Sequence, residues 1–342
     1  MIESNNSHAP LRVSVLDQSP ISEGTSGSDA LRNTVDLAQF ADALGYHRYW
    51  VAEHHGTPML AGPSPEALIG PVASATSRIR VGSGGIMLPH YSPLKVAENF
   101  SVLAGLFPGR IDLGIGRAAG TDPLTTFALQ RDRRQAGPDD FPEQLSELLG
   151  YLQGQLPDDH PFARLAPLFK TTAGPQPWLL GSSAQSAIWA GELGLPYVFA
   201  DFINAAGAEI AALYRDRFVP SEQCPAPRVI VASRAVCADT DIEAERLASS
   251  GRMAMSLLRR GHLIAIPTVE TAERYLAENA GVPERVFTRR RDVVGDPSTV
   301  RAGLEAVATE YGADEVMVVT ITHSHAARRH SYELIAGAFG LS

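Results

Sequence analysis

Apolar positions along the chain switch between two periods. The segment 11–17, LRVSVLD, is short and rich in β-branched residues, which predicts a strand. Residues 28–44 then place Leu31, Val35, Leu37, Ala38, Ala41 and Leu44 at helical spacing. Ser28 is expected to cap that helix and Gly45 to end it. The same reading predicts strands at 47–53, 79–88 and 110–116, with helices at 65–76 and 92–106 between them. Pro71 should bend the first of these helices or mark its opening turns. Ser92 and Pro93 open the second, where the missing N–H of proline costs nothing.

The rhythm breaks at 117–175, a polar stretch rich in Pro, Gly, Asp and Arg with one clear helix near 142–153. It resumes with strands at 177–181, 197–201 and 228–238 and helices at 183–193 and 205–217. A helical region from 241 is interrupted near 259–267 and 281–296, and the chain closes with a strand at 314–321 and a helix at 325–339. Eight strands, each followed by helix, predict an α/β chain, a (β/α)8 TIM barrel with insertions. An open doubly wound sheet would show a break between halves, and none is visible. The expected organisation is a polar tail over 1–10 and one barrel domain over 11–342, with an excursion at about 117–175.

Composition narrows the functions. Apolar residues make up 44% and charged residues 20% of the 342, which is ordinary for a folded soluble chain. Two cysteines, Cys224 and Cys237, cannot staple a scaffold and suit a reducing, cytoplasmic setting. The net charge of −9 argues against nucleic acid or an anionic membrane as partner. The longest uncharged tract, 171–191, contains Gly174, Pro175, Pro177 and Gly181, so it is not a spanning helix, and the polar first ten residues are not a signal peptide.

In a barrel, chemistry collects at the C-terminal ends of the strands. Four such ends are rich here: Glu53-His54-His55, Gly82-Ser83-Gly84-Gly85, Gly114-Ile115-Gly116-Arg117 and Gly181-Ser182-Ser183. Glu53 and His54 suit general acid–base work or a metal, against the plain reading of a histidine pair on a polar loop. His323 and His325 form an HxH at the last strand, but no Lys, Cys or further His is expected at a strand end, so no metal site is expected. GIGRAAG at 114–120 contains GxGxxA. A dinucleotide fold would need a helix within the glycines and an acidic end to the next strand, whereas Asp122-Pro123 should break the helix and the next strand ends Leu180-Gly181. Arg117 is better read as a fork for phosphate. Ser182 and Ser183, between a strand and a helix, either cap the helix or join Arg117 in an anion cradle. Glycines inside a strand weaken it, so Gly84 and Gly85 are read as a backbone for a flat ligand, with tight barrel packing as the plain reading. A branched residue at 85 is then expected to fill the ligand's place and leave the barrel folded.

VAEHH, IRVGSGGIMLPHYSPLKVAENF, FPGRIDLGIGR and PWLLGSSAQSAIWAGELGLP, in this order, resemble the flavin-dependent bacterial luciferase-like monooxygenases, in particular the luciferase-like branch of antibiotic clusters. The resemblance runs through about 11–122 and 177–340. It implies a barrel, often dimeric, that uses reduced flavin mononucleotide (FMN) and O2 to oxidise a small organic substrate through a peroxyflavin. It implies that His54 is the catalytic histidine and that Gly84-Gly85 is a non-proline cis peptide facing the flavin ring. Arg117 would reach the flavin phosphate, with Ser182, Ser183 and Ser186 as the phosphate turn. Gly116 stands where luciferases carry a reactive cysteine. Glu53 would orient His54 or hold a structural salt bridge. With an ordinary pKa near 6.5, His54 would exchange protons at neutral pH. No nicotinamide fingerprint is present, so a separate flavin reductase is the expected partner. Three other readings stay open: a deazaflavin-dependent oxidoreductase on the same fold, a non-catalytic flavin-binding protein, and a metal-dependent barrel hydrolase.

Overall fold

The computed structural model describes residues 10–117, 122–130, 140–166, 173–204, 207–279 and 292–342. The expected tail lies outside them except for Pro10. In the first half, β1 (Arg12–Asp17), β2 (Arg48–Val51), β3 (Arg80–Met87) and β4 (Ile111–Gly116) alternate with α1 (Gly27–Ala43), α2 (Pro65–Ala75) and α3 (Pro93–Leu106). The excursion carries α4 (Pro123–Leu129) and α5 (Phe141–Gln153). Then follow β5 (Gln176–Gly181), α6 (Ala184–Glu192), β6 (Tyr197–Ala200), α7 (Ala208–Asp216) and β7 (Val229–Cys237). The rest is α8 (Asp241–Arg259), α9 (Val269–Glu278), β8 (Asp292–Gly295), α10 (Pro297–Tyr311), β9 (Glu315–Val319) and α11 (His325–Phe339).

All strand pairs are parallel. β1 to β7 pair in chain order, and β9 closes the ring by pairing with both β7 and β1. The eight strands expected from the sequence are the eight staves of this closed barrel. The sequence reading passed over β8, which pairs only with the outer half of β7, at residues 234–237. It lies inside the expected interruption at 281–296. Two helix starts also differ. Ser26, not Ser28, caps α1: its hydroxyl accepts from Asp29 N at 3.2 Å while the Asp29 carboxylate accepts from Ser26 N at 3.0 Å. Asp122-Pro123 starts a helix instead of breaking one, because Asp122 accepts from Leu124 N and Thr125 N and Pro123 takes the first helical position.

Alternation along the strands sorts the core into two shells. Outward residues such as Val13, Val15, Tyr49, Val51, Ile111 and Leu113 pack under the helices. Inward residues, among them Leu16, Trp50, Trp178, Ile230 and Met317, fill the barrel, with Trp50 and Trp178 edge to face at 5.7 Å. Below them, at the N-terminal ends of the strands, lies a buried charge cluster. Arg48 reaches Asp112 at 2.6 Å and Glu315 at 3.0 Å, Arg80 reaches Asp112 at 2.6 Å, and Trp50 Nε1 donates to Asp112 at 3.0 Å. The cluster closes that end of the barrel and leaves the C-terminal end for function.

Candidate active site

The C-terminal mouth holds a cavity of about 460 Å3. Its walls include His54, Gly84, Gly85, Gly116, Arg117, Ser182, Ser183 and Ser186. Eight of the nine residues singled out in the sequence therefore face one space, and Glu53 is the one that does not line it. Leu16, Trp50, Leu179 and Met317 make the floor apolar, and Gln18, Phe141 and Trp189 complete the rim.

Each polar residue is placed by a simple local cause. Beyond β2, Glu53 bonds the ring of His55, whereas Ala52 and His54 line the cavity, so the Glu53 carboxylate is turned away from the space that His54 faces. Glu53 is fully buried and accepts from His55 Nε2 at 2.7 Å and from Met87 N at 3.0 Å; Tyr91 donates to it as well. It thus orients His55 and ties the end of β2 to the end of β3. Of the two roles left open for Glu53, the structure shows the salt-bridge pairing, made with His55 and not with His54. Burial raises the Glu53 carboxyl above its ordinary pKa despite these donors.

His54 turns into the mouth. Its N–H anchors to the Gly62 carbonyl at 3.0 Å, while its ring Nδ1 is buried without a hydrogen-bond partner among the described residues. Burial, with the neighbouring His55, lowers its pKa to about 4. The expectation of an ordinary imidazole near 6.5 is overturned: at neutral pH this ring is uncharged.

Across the mouth, Ser183 caps α6 by accepting from Ser186 N at 3.3 Å. Ser186 is turned inward. Its hydroxyl donates to Ser183 O at 2.7 Å and lies 3.0 Å from Tyr197 OH. Gly181 is required there, since a Cβ would meet Ser186 Oγ at 2.2 Å. Arg117 leaves β4 toward the same helix, its guanidinium 5.6 Å from the centre of the Trp189 ring. The mouth therefore pairs a cation with a helix N-terminus, the arrangement that favours an anion.

The Gly84–Gly85 peptide is cis. A Cβ at Gly85 would meet the Gly114 carbonyl oxygen at 2.8 Å, and one at Gly84 would meet Leu16 Cδ1 at 2.5 Å. Both would strike the barrel itself, so a branched residue at 85 disturbs β4 before it fills the cavity. The packing reading of these glycines holds beside the ligand reading. His325 Nε2 lies 2.8 Å from Asp36, and His323 Nε2 lies 3.2 Å from the Glu23 carbonyl. Cys237 does end β7, contrary to expectation, but burial pushes its thiol up to about 12. Among the described residues no three His, Cys, Asp or Glu side chains gather to hold a metal. No helix among them is long and apolar enough to cross a membrane.

Sequence reasoning missed Gln18 and Trp189. A signal for Gln18 was present: Leu16 faces inward, so the residue two further on shares that face.

A closed parallel barrel with such a mouth matches known proteins. Residues 11–315 match the sequence profile of the family described as luciferase-like monooxygenase, and the chain belongs to that family of enzymes. It is 38% identical to N-acetyl-S-alkylcysteine monooxygenase of Bacillus subtilis (strain 168), over 96% of this chain and 98% of that one. The crystal structure of apo-MsnO8 superposes with a TM-score of 0.89 at 40% identity, covering 98% of this chain and 99% of that one. At 21% identity, the oxygenating constituent of 3,6-diketocamphane monooxygenase of Pseudomonas putida, solved in complex with FMN, shares the fold with a TM-score of 0.71, covering 96% of this chain and 97% of that one.

Proposed function

We propose that this chain is a monooxygenase that uses reduced FMN and O2 to oxidise a small organic substrate at the barrel mouth. The observation that carries this reading is one cavity shared by the His54 ring, whose buried Nδ1 has no hydrogen-bond partner among the described residues, by Arg117 and by the N-terminus of α6. The fit with FMN is good. An anion end is offered by Arg117 with Ser182 and Ser183, and an apolar slot by Leu16, Trp50, Leu179 and Leu180 beside the Gly84-Gly85 backbone. When bound, reduced FMN supplies the two electrons with which O2 gives one oxygen atom to the substrate and leaves the other as water.

The residues of the chain do the remaining tasks. Arg117 and the α6 turn hold the phosphate and set the depth of the ligand. Trp50, Phe202 and Leu180 keep water out of the slot. His54, neutral at pH 7, holds or accepts a proton at Nδ1 without first losing one to solvent. Glu53 is a positioning residue: it fixes the backbone of Met87, a cavity residue, and the ring of His55. Ser186, its hydroxyl spent inside the turn, shapes the phosphate site more than it touches it.

The reading includes a cytoplasmic homodimer fed by a separate reductase. The relative that acts on N-acetyl-S-alkylcysteines makes such thioethers the first substrates to try. Titration of the protein with FMN and with a deazaflavin, followed by O2 uptake with reduced FMN, tests it. Tight FMN binding with substrate-dependent O2 uptake is expected. Preference for the deazaflavin without O2 uptake supports hydride transfer instead, and FMN binding without turnover supports a carrier. Light scattering of the FMN-loaded protein reads its mass.

A further inference from the structure

A second hollow borders the same histidine. A groove of about 660 Å3 is walled by the segment that leads from β1 into α1 and by the loop after β2, and His54 lines both it and the mouth. The two segments are zipped together through residues of these walls. Ile21 N donates to Met59 O at 2.8 Å, Ala61 N donates to Ser19 O at 2.9 Å, and Pro20 and Leu60 form an antiparallel bridge between those bonds. The groove is therefore pre-formed, and filling it orders little backbone.

Its lining is apolar. Ile21, Leu31, Leu60 and Ala61 line it half-buried, and no Asp, Glu, Lys or Arg is among the described residues that do. His54 is uncharged at neutral pH. An ionic group placed there would lose hydration without gaining a countercharge, whereas an alkyl or aryl group would take the half-exposed side chains out of water. Gly27, the first residue of α1, keeps the space open. A Cβ at that position would lie 3.7 Å from Ala61 Cβ and 3.8 Å from Ile21 Cδ1, in ordinary contact with two walls of the groove and in no clash. A larger side chain at 27 would thus occupy the groove and leave the barrel undisturbed.

We propose that this groove is a second subsite for the substrate, which is an elongated molecule that passes over His54, with its oxidisable atom in the mouth and an uncharged, apolar arm in the groove. This rests on the reading of the mouth as a monooxygenase site. No covalent step is added by it.

The test uses calorimetric titration of the protein loaded with oxidised FMN. The probes are the 1-alkanols from hexanol to octanol and 8-hydroxyoctanoate, which is the octanol chain ended by a carboxylate. Affinity should rise about two- to fourfold with each methylene. Octanol should bind at least about tenfold more tightly than 8-hydroxyoctanoate. Gly27→Leu should weaken octanol by about 10–100-fold and flatten the dependence on chain length, with FMN affinity unchanged. Ala61→Leu fills the groove from the neighbouring wall and gives a second reading should the first variant fail to fold. Affinity independent of chain length, equal binding of octanol and 8-hydroxyoctanoate, or no octanol binding up to about 2 mM overturns the proposal. So does unchanged octanol affinity in the leucine variants, which would put the chain in the mouth. A loss of FMN affinity of about tenfold in Gly27→Leu would also overturn it, by giving the groove to the flavin. Failure of the protein to take up FMN strikes the monooxygenase reading alone, and the octanol comparison between wild type and variants is then read on the FMN-free protein.

Discussion

Both ends of the barrel interior carry charge, and they treat it in opposite ways. At the N-terminal end Arg48, Arg80, Asp112 and Glu315 are matched with one another at 2.6–3.0 Å, and Trp50 completes the set. The two cations beside Asp112 hold its carboxyl below the ordinary range although burial pushes the other way. At the C-terminal end the His54 ring keeps a buried nitrogen without a hydrogen-bond partner among the described residues. Charge satisfied from within serves architecture; a buried polar atom left for something else to satisfy marks the place where a ligand belongs. The contrast also explains why a buried ion cluster is a poor guide to a site, since burial and shifted pKa values occur at both ends.

The largest effect should come from the mouth. His54→Ala is expected to lower turnover by about 10²–10⁴-fold, with FMN affinity nearly unchanged and hydrogen peroxide released in place of product. Stopped-flow absorbance with a peroxide assay would show it, and unchanged turnover would remove the contrast at its strongest point. Next in size is the closed end. Asp112→Ala leaves Arg48 and Arg80 without their shared partner, and should cost about 3–5 kcal/mol of stability in urea unfolding. A loss under 1 kcal/mol would mean that water satisfies the cluster and that the two ends are not so different.

Arg117→Ala should weaken FMN by about 1–3 kcal/mol in a fluorescence titration and leave unfolding unchanged. The smallest effect concerns pH. Folding lowers the His54 pKa to about 4 from 6.5 in the unfolded chain. The unfolded state therefore binds more protons between those values, so this residue favours folding above pH 6.5 and that contribution declines as pH falls toward 4. For the same reason kcat/KM should stay flat from about pH 8 to about pH 5. A limb centred near 6.5 would show that the ring is better solvated than its burial implies.

The eight staves were legible because each carries a short segment rich in apolar residues, set apart by turn residues and helical patterns. β8 was not: four residues, held only by the far half of β7, have too short a pattern to stand out from a loop. α4 was hidden because its start signal, Asp122-Pro123, is also a turn signal, and none of its residues is buried to mark an apolar face. The residues of the mouth were found from strand ends and glycine usage. Their partners were missed, since a partner is chosen by folding: His55, one residue along, takes the carboxylate that sequence proximity offers equally to His54. The inward direction of Gln18 could have been read by counting in twos from Leu16. The lowered pKa of His54 could not, because it arises from the walls that fold around it.

The place of β9 between β1 and β7 has a consequence for how the chain is made. A ribosome releases residues in order, and the stave that closes the ring is the last to emerge. Until Glu315–Val319 has left the exit tunnel, β1 and β7 each present an open strand edge, and Arg48 holds only Asp112 of its two carboxylates. The final stave thus delivers both the missing ladder and the missing countercharge in one step, so a nascent chain waits with an incomplete sheet until that stave emerges.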